Sequence, residues 1–180
     1  MRTWEADVIA AKAHKDQFDK NGVPYIEHAR AVSAGLASFS EPVRVAGLLH
    51  DVVEDTDETL ESLRSAGVTE ISLEIIDAVT KVPGSTKREQ IERVIQGGYA
   101  AMLVKTSDNA HNSLPDRLKH LDGATRDRLE RKYKEARSMM WPHLRPADIY
   151  EILRIVNPSL TPELREHEAG RNEGVRWTDA

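Results

Sequence analysis

The sequence contains no cysteine. That absence removes disulfides, thiolate nucleophiles, cysteine-bound zinc and iron–sulfur clusters together, so a metal must be held by His, Asp and Glu. Long apolar runs are missing too. Nothing approaches ~18 consecutive hydrophobic residues, and the opening MRTWEADVIAAKAHKDQ lacks the apolar centre of a signal peptide. The expectation is a cytoplasmic protein with no membrane partner. A basic surplus is also absent: 25 Lys and Arg face 30 Asp and Glu, for a net charge of −5. This balance argues against a nucleic-acid partner, which needs cations to neutralise phosphates. A small anionic substrate stays open, because a bound cation and a few local lysines can dominate one pocket.

What is present describes an ordinary globular chain. Hydrophobic content of 39% beside 31% charged residues is rich enough for a core, and 180 residues suit one domain. The pattern is helical throughout, with no alternating strand signal and no internal repeat, so the predicted fold class is all-α. Helices are expected over about 3–18, 24–39, 42–53, 59–65, 69–80, 87–96, 99–111, 125–140 and 147–156. Asn21-Gly22-Val23-Pro24 and Ser40-Glu41-Pro42 mark breaks, with each proline suited to a first helical turn. One domain over 1–156 would be followed by a polar tail over 157–180 that carries a lone Trp177.

The strongest chemical signal is Leu48-Leu49-His50-Asp51-Val52-Val53-Glu54-Asp55-Thr56. The segment from Pro42 to Val53 is apolar on nearly every side, which implies a central buried helix. His50 and Asp51 therefore fall in the interior, where a polar pair needs partners. Glu54 and Asp55 follow four residues after His50 and Asp51, one turn along the same side of a continuous helix. So many carboxylates beside one imidazole would be costly unpaired, and a divalent cation resolves the cost. Alternatively, Glu54 and Asp55 are a solvated helix end. His28 lies on an apolar helix and reads either as a hydrogen-bonded core histidine or as a ligand. Asp108 ends an apolar run and reads either as a cap or as a ligand.

These segments, taken in order, resemble the HD superfamily of metal-dependent phosphohydrolases, and most closely the hydrolase domain of RelA/SpoT-type alarmone enzymes and their small stand-alone relatives. Ala13-His14 with Gln17, then Gly22-Val23-Pro24-Tyr25-Ile26-Glu27-His28, resembles the opening motif. Leu48 to Thr56 resembles the central one, Val79-Thr80-Lys81 the middle one, and Val104-Lys105-Thr106-Ser107-Asp108-Asn109-Ala110-His111-Asn112 the last. The likeness runs from about Ala10 to Met140. It implies a single-domain HD-type bundle of about nine to eleven helices. It further implies one divalent ion, usually Mn²⁺, held by His28, His50, Asp51 and Asp108. Glu54 and Asp55 become the pair that activates water or protonates the leaving group. The implied reaction removes pyrophosphate from the 3′ position of a guanosine or adenosine alarmone, a small phosphorylated nucleotide.

Further residues follow from the same likeness. Asn112 would contact the sugar and Tyr25 would pack beside the nucleoside. Lys20 and Lys81 would anchor phosphate. Where the family usually has an arginine at the purine, this chain has Asp19, which loses stacking and donor capacity but can accept from an exocyclic amino group. Lys87-Arg88 reads as a solvated helix face, His14 equally as a surface residue, and His111, His120 and His143 carry no signal. With no synthetase-like segment after Val156, hydrolysis alone is expected; the oligomeric state stays open. Two other readings stand beside this one. One is an HD phosphohydrolase acting on another phosphoester, such as a nucleoside phosphate or NADPH. The other is a nucleotide-binding module that has lost turnover, against which intact Glu54 and Asp55 argue.

Overall fold

Apolar residues at helical spacing leave a chain of this kind one way to bury its hydrophobic faces, which is helix against helix. The computed structural model describes residues 1–173, with side chains to position 170. Trp177 lies outside the described residues. Among these there are twelve α-helices and no strand beyond one isolated bridge between Phe18 and Pro24. The fold is all-α, and no described helix is long and apolar enough to cross a membrane.

Two helices make the centre. After α1 (Thr3–Ala13) and α2 (Ile26–Gly35) comes α3 (Glu41–Leu49), which starts from extended Ser40 with Pro42 in its first turn. Val43, Val45, Ala46, Gly47, Leu48 and Leu49 are all buried. Apolar all round, α3 can sit only inside, and it packs against α1 and α2. Next follow α4 (Val52–Asp55), α5 (Leu60–Ser65), α6 (Glu70–Val79), α7 (Lys87–Gln96) and α8 (Tyr99–Asn112). Thr59, Thr69 and Thr86 cap α5, α6 and α7 by accepting the amide three residues on. The second central helix is α8. It buries Ala101, Met102, Leu103, Val104 and everything from Thr106 to Ala110, against α2, α3, α6 and α7. Then α9 (Pro115–Leu118), α10 (Gly123–Met140), α11 (Pro146–Val156) and α12 (Thr161–Glu173) complete the bundle, with short 3₁₀ turns before α11 and α12.

The structure departs from the sequence reading in three places. First, α1 ends at Ala13, not near Phe18. The next residues form a small hairpin: Asp19 N–H donates to Val23 O at 2.8 Å and Tyr25 N–H to Gln17 O at 2.9 Å. Gly22 turns its tip at φ 78°, a region that suits glycine. Second, the buried helix does not run on through His50-Asp51. In a continuous helix the Gly47 carbonyl would accept the Asp51 amide; here His50 Nδ1 takes it at 2.9 Å. A new turn then starts, with Asp55 N–H bonded to Asp51 O at 2.8 Å. Third, the stretch expected to be a polar tail is helical from Thr161 to Glu173. It docks through Leu164, which is buried, and through Glu163, which takes the Arg137 guanidinium in two bonds of 2.9 and 2.7 Å. Leu164, the Arg137–Glu163 pair, the His167 ring beside Trp141 and packing on α11 hold it, too little apolar surface to leave a helical stripe in the sequence.

Candidate metal centre and adjoining cavity

Three helix ends meet at one point. His28 stands in the first turn of α2, His50 and Asp51 occupy the break after α3, and Asp108 lies in the last turns of α8. Because α2, α3 and α8 pack directly on one another, residues far apart in sequence converge. His28 Nε2 lies 3.3 Å from His50 Nε2, 3.5 Å from Asp51 Oδ2 and 3.3 Å from Asp108 Oδ1. His50 Nε2 is 2.9 Å from Asp51 Oδ2 and 3.8 Å from Asp108 Oδ1. Donors each ~2.1 Å from a shared ion stand roughly 3–3.5 Å apart, so these spacings suit one divalent cation. His28, His50 and Asp51 alone already form a group able to hold a metal.

The imidazoles are also aimed. His50 Nδ1 is fixed on the Gly47 carbonyl, and His28 Nδ1 lies 2.8 Å from His111 Nδ1. Each ring is thus tied at one nitrogen and presents the other to the centre, as metal-binding histidines do. The carboxylates are held in turn. Tyr25 OH donates to Asp51 Oδ2 at 2.5 Å, Asn112 Nδ2 to Asp108 Oδ1 at 2.5 Å, and Lys105 Nζ lies 2.8 Å from Asp108 Oδ2. His28, His50 and Asp108 are buried, so this donor set fits a divalent cation better than it fits solvent.

The electrostatics agree. Burial disfavours a charged His50, yet Asp51 and Asp108 outweigh it and hold the imidazole up at about 10. Burial likewise pushes Asp51 and Asp108 up, but His50, His28 and, for Asp108, Lys105 pull both well below the usual carboxylate range. In effect a proton on His50 serves as the cation of the site. Asp55 goes the other way: desolvation and the charge of Asp51 raise it. His111 is lowered to about 4 by desolvation and by His28 and Arg117, so it faces His28 as a neutral ring.

A cavity of about 200 Å³ opens beside the centre. Its acids are Asp51, Glu54, Asp55, Asp108 and Glu135; its cations are Lys87, Arg88, Lys105 and Lys132; Ile91, Tyr133, Ala136 and Met139 give it an apolar surface. Tyr25 and Asn112 line it as well. Glu54 is exposed and accepts the Lys81 amide at 3.0 Å, so Lys81 meets the site by its backbone while its side chain lies outside the cavity lining. Lys20 is exposed and does not line the cavity. Neither does Asp19. Its Oδ1 accepts the amides of Asn21 and Val23 at 2.8 and 3.0 Å, and its Oδ2 pairs with Arg117 at 3.1 Å. That carboxylate holds its own loop and has little left for a purine.

Several residues of the site escape sequence reasoning. Lys105, Lys132, Tyr133 and His111 carry no role there, and Lys87-Arg88 reads as a solvated face, yet these side chains line the cavity or brace His28. A usable signal exists for Lys105, three residues before a buried acid on the same helix. His14, which reads equally as a surface residue, is buried, its Nδ1 2.6 Å from Gln17 Oε1 and its ring tilted 45° to that of Tyr25, with centroids 4.9 Å apart.

Comparison with known proteins places this geometry. A family model described as an HD domain matches residues 6–140. A guanosine-3′,5′-bis(diphosphate) 3′-pyrophosphohydrolase MESH1 from Danio rerio is 37% identical over 113 residues, 58% of this chain and 63% of that protein. The MESH1 of Homo sapiens is 36% identical over 119 residues, 60% and 65% of the two chains. A protein of the same pyrophosphohydrolase name from Haemophilus influenzae is 32% identical over 117 residues, 58% of this chain but 17% of its own length. The matches thus span less than two thirds of these relatives. Among solved structures, one described as a metazoan ortholog of SpoT that hydrolyses ppGpp superposes with a TM-score of 0.71 at 27% identity, covering 84% of this chain and 93% of that one. By its family match and by its fold, the chain belongs to the HD domain family.

Proposed function

We propose that this chain is a metal-dependent phosphohydrolase that removes the 3′-pyrophosphate of guanosine or adenosine alarmones in the cytoplasm, with Mn²⁺ as its ion. The observation that carries the reading is the meeting of His28, His50, Asp51 and Asp108 within 3.8 Å across each His–His and His–Asp pair, beside a cavity that holds both acids and lysines. The names of the relatives supply the substrate class. When bound, the cation would act as a Lewis acid that screens phosphate charge and acidifies water.

The remaining chemistry falls to the chain. Water oxygen adds to the phosphorus next to O3′, the bond from that phosphorus to O3′ breaks, and pyrophosphate leaves as O3′ gains a proton. Glu54, exposed in the cavity and steadied by the Lys81 amide, takes the proton from water. Asp55, raised above the usual range, is the better carrier of a proton to O3′. Tyr25 orients Asp51 by its hydroxyl, and Asn112 does the same for Asp108, so both act on ligands before substrate.

One observation favours a second reading. Asp19 is bound into its own loop, so the cavity has no purine-selecting group at that position. Another nucleotide phosphoester, a nucleoside phosphate or NADPH, then fits the same centre, with orthophosphate as product. The test is to strip the protein of metal, reload it with Mn²⁺, and resolve the products of a nucleotide panel by anion exchange. Pyrophosphate with a nucleoside 5′-diphosphate, or a 5′-triphosphate from the pentaphosphate, is expected. Orthophosphate alone would move the assignment to the second reading, and no turnover of any nucleotide would end both.

A further inference from the structure

Of the buried histidines among the described residues, His28 and His50 face the metal centre and His14 does not. His14 ends α1, its amide bonded to Ala10 O at 2.9 Å. Its Nε2 is buried with no hydrogen-bond partner among the described residues. The ring is therefore fastened at Nδ1 alone, 2.6 Å from Gln17 Oε1. The far end of the Gln17 amide fixes the direction of that bond. Gln17 Nε2 donates to the main-chain Asp55 O at 2.6 Å. A carbonyl only accepts, so the amide nitrogen must stand there and the amide oxygen must face His14. That oxygen only accepts too. In the neutral ring the His14 proton thus sits on Nδ1, and Nε2 is bare.

The turn that Gln17 holds is short. It is α4, which spans Val52–Asp55 and carries both Glu54 and Asp55. Asp55 N–H on Asp51 O and Thr56 Oγ on Val52 O close it. Four residues are too few for a helix to hold itself, and its last carbonyls have no partner inside it. Gln17 supplies one from outside. Its backbone meanwhile reaches the metal centre, since Gln17 O takes the Tyr25 amide at 2.9 Å and Tyr25 OH holds Asp51. One residue thus spaces the ligand Asp51 from the acids of α4, and a buried imidazole locks its amide in place.

We propose that His14 is a positioning residue: by fixing the Gln17 amide it clasps the hairpin before α2 to α4 and sets where Glu54 and Asp55 stand beside the metal centre. The inference rests on the reading of those two acids as the groups that move protons, but the clasp itself is visible without turnover. Long-range ¹H–¹⁵N correlation of the neutral ring should place the His14 proton on Nδ1. Gln17→Met keeps the side-chain length and loses both bonds. Amide exchange over 54–56 should quicken in that variant with circular dichroism unchanged. In the Mn²⁺-loaded enzyme its kcat should fall about 10- to 100-fold while KM and metal content hold, because reacting groups shift and substrate contacts do not. His14→Asn keeps a nitrogen donor at the Nδ1 position and should recover most of the rate. His14→Gln moves its amide to the Nε2 position and should be as slow as Gln17→Met, with the double variant H14Q/Q17M no slower than either. A His14 proton on Nε2, undiminished kcat in Gln17→Met, a rate loss matched by lost metal, or His14→Gln as fast as His14→Asn overturns the proposal. An Nδ1 proton and Gln17-dependent exchange in a protein that hydrolyses no nucleotide would uphold the clasp and refute the proposed function.

Discussion

At His50, burial and charge pull against each other, and charge wins because two carboxylates face one ring. The consequence is measurable. A group raised from 6.5 to about 10 contributes its full stabilisation below about 6.5 and loses it as the pH rises through about 10. Between those limits an arriving cation must displace the His50 proton. Metal uptake near pH 8 should therefore release roughly one proton, and apparent affinity should climb about tenfold per pH unit through that window. An indicator dye in weak buffer reads the proton; a pH-independent affinity would show that His50 is already neutral. Glu54 asks a different question, because its carboxylate bonds the Lys81 amide and no ligand. Glu54→Gln should keep metal content while turnover falls by about 10²-fold or more, measured by metal analysis beside steady-state rates. Residues at this scale are legible unevenly. His50 and Asp51 stand out because an apolar helix has no business burying them unpartnered. His111 and Lys132 do not, since an imidazole touching His28 across 83 positions, or a lysine on a polar helix, has no local pattern to betray it.

Elements differ in how far their sequences announce them. Where the apolar stripe is dense, as in α3, α6 and α8, the helix appears within a residue or two of its expected limits apart from the break at His50. That break is invisible to periodicity because a single side chain, His50 on the Gly47 carbonyl, decides it. The hairpin over 17–25 is set in the same way, by Asp19. Asp19→Arg removes the acceptor for two loop amides and sets a second guanidinium beside Arg117. It should cost about 1–3 kcal/mol in a denaturant titration, with metal content preserved. A stability equal to wild type would show that the loop is held by Gly22 and the backbone alone. The α2–α8–α11 crossing allows a second test. A Cβ at Gly35 would strike the Val156 side chain and the Ser107 hydroxyl, and Ser107 is itself bound to Val32 O. Alanine gains up to ~1 kcal/mol of helix propensity over glycine, but overpacking costs ~1–3. Because both neighbours are buried, strain should win, and Gly35→Ala should lower the midpoint of unfolding.

Across the whole molecule, one buried cation ties the C-terminal helix to the wall of the site. Arg137 on α10 bonds Glu163 on α12 twice, then reaches Asn109 Oδ1 at 2.9 Å and Ser113 Oγ at 3.0 Å on and just beyond α8. Asn109 in turn donates to Tyr133 O at 3.1 Å, and both residues line the cavity. A planar fork with five donors can make all four bonds at once; a lysine, with three donors, cannot. The Arg137 side chain is only 6% exposed, so its loss leaves Asn109 buried without its donor and Glu163, a quarter exposed, without its partner. Removing one partner of such a pair costs ~3–5 kcal/mol, a large share of the stability of one domain. Arg137→Ala should lower unfolding free energy by about that amount, and amide exchange over 161–173 should accelerate before the rest of the bundle. Exchange that quickens everywhere at once would make α12 part of one cooperative unit. Exchange unchanged over 161–173 would mean that Leu164 and the packing on α11 hold α12 without the ion pair.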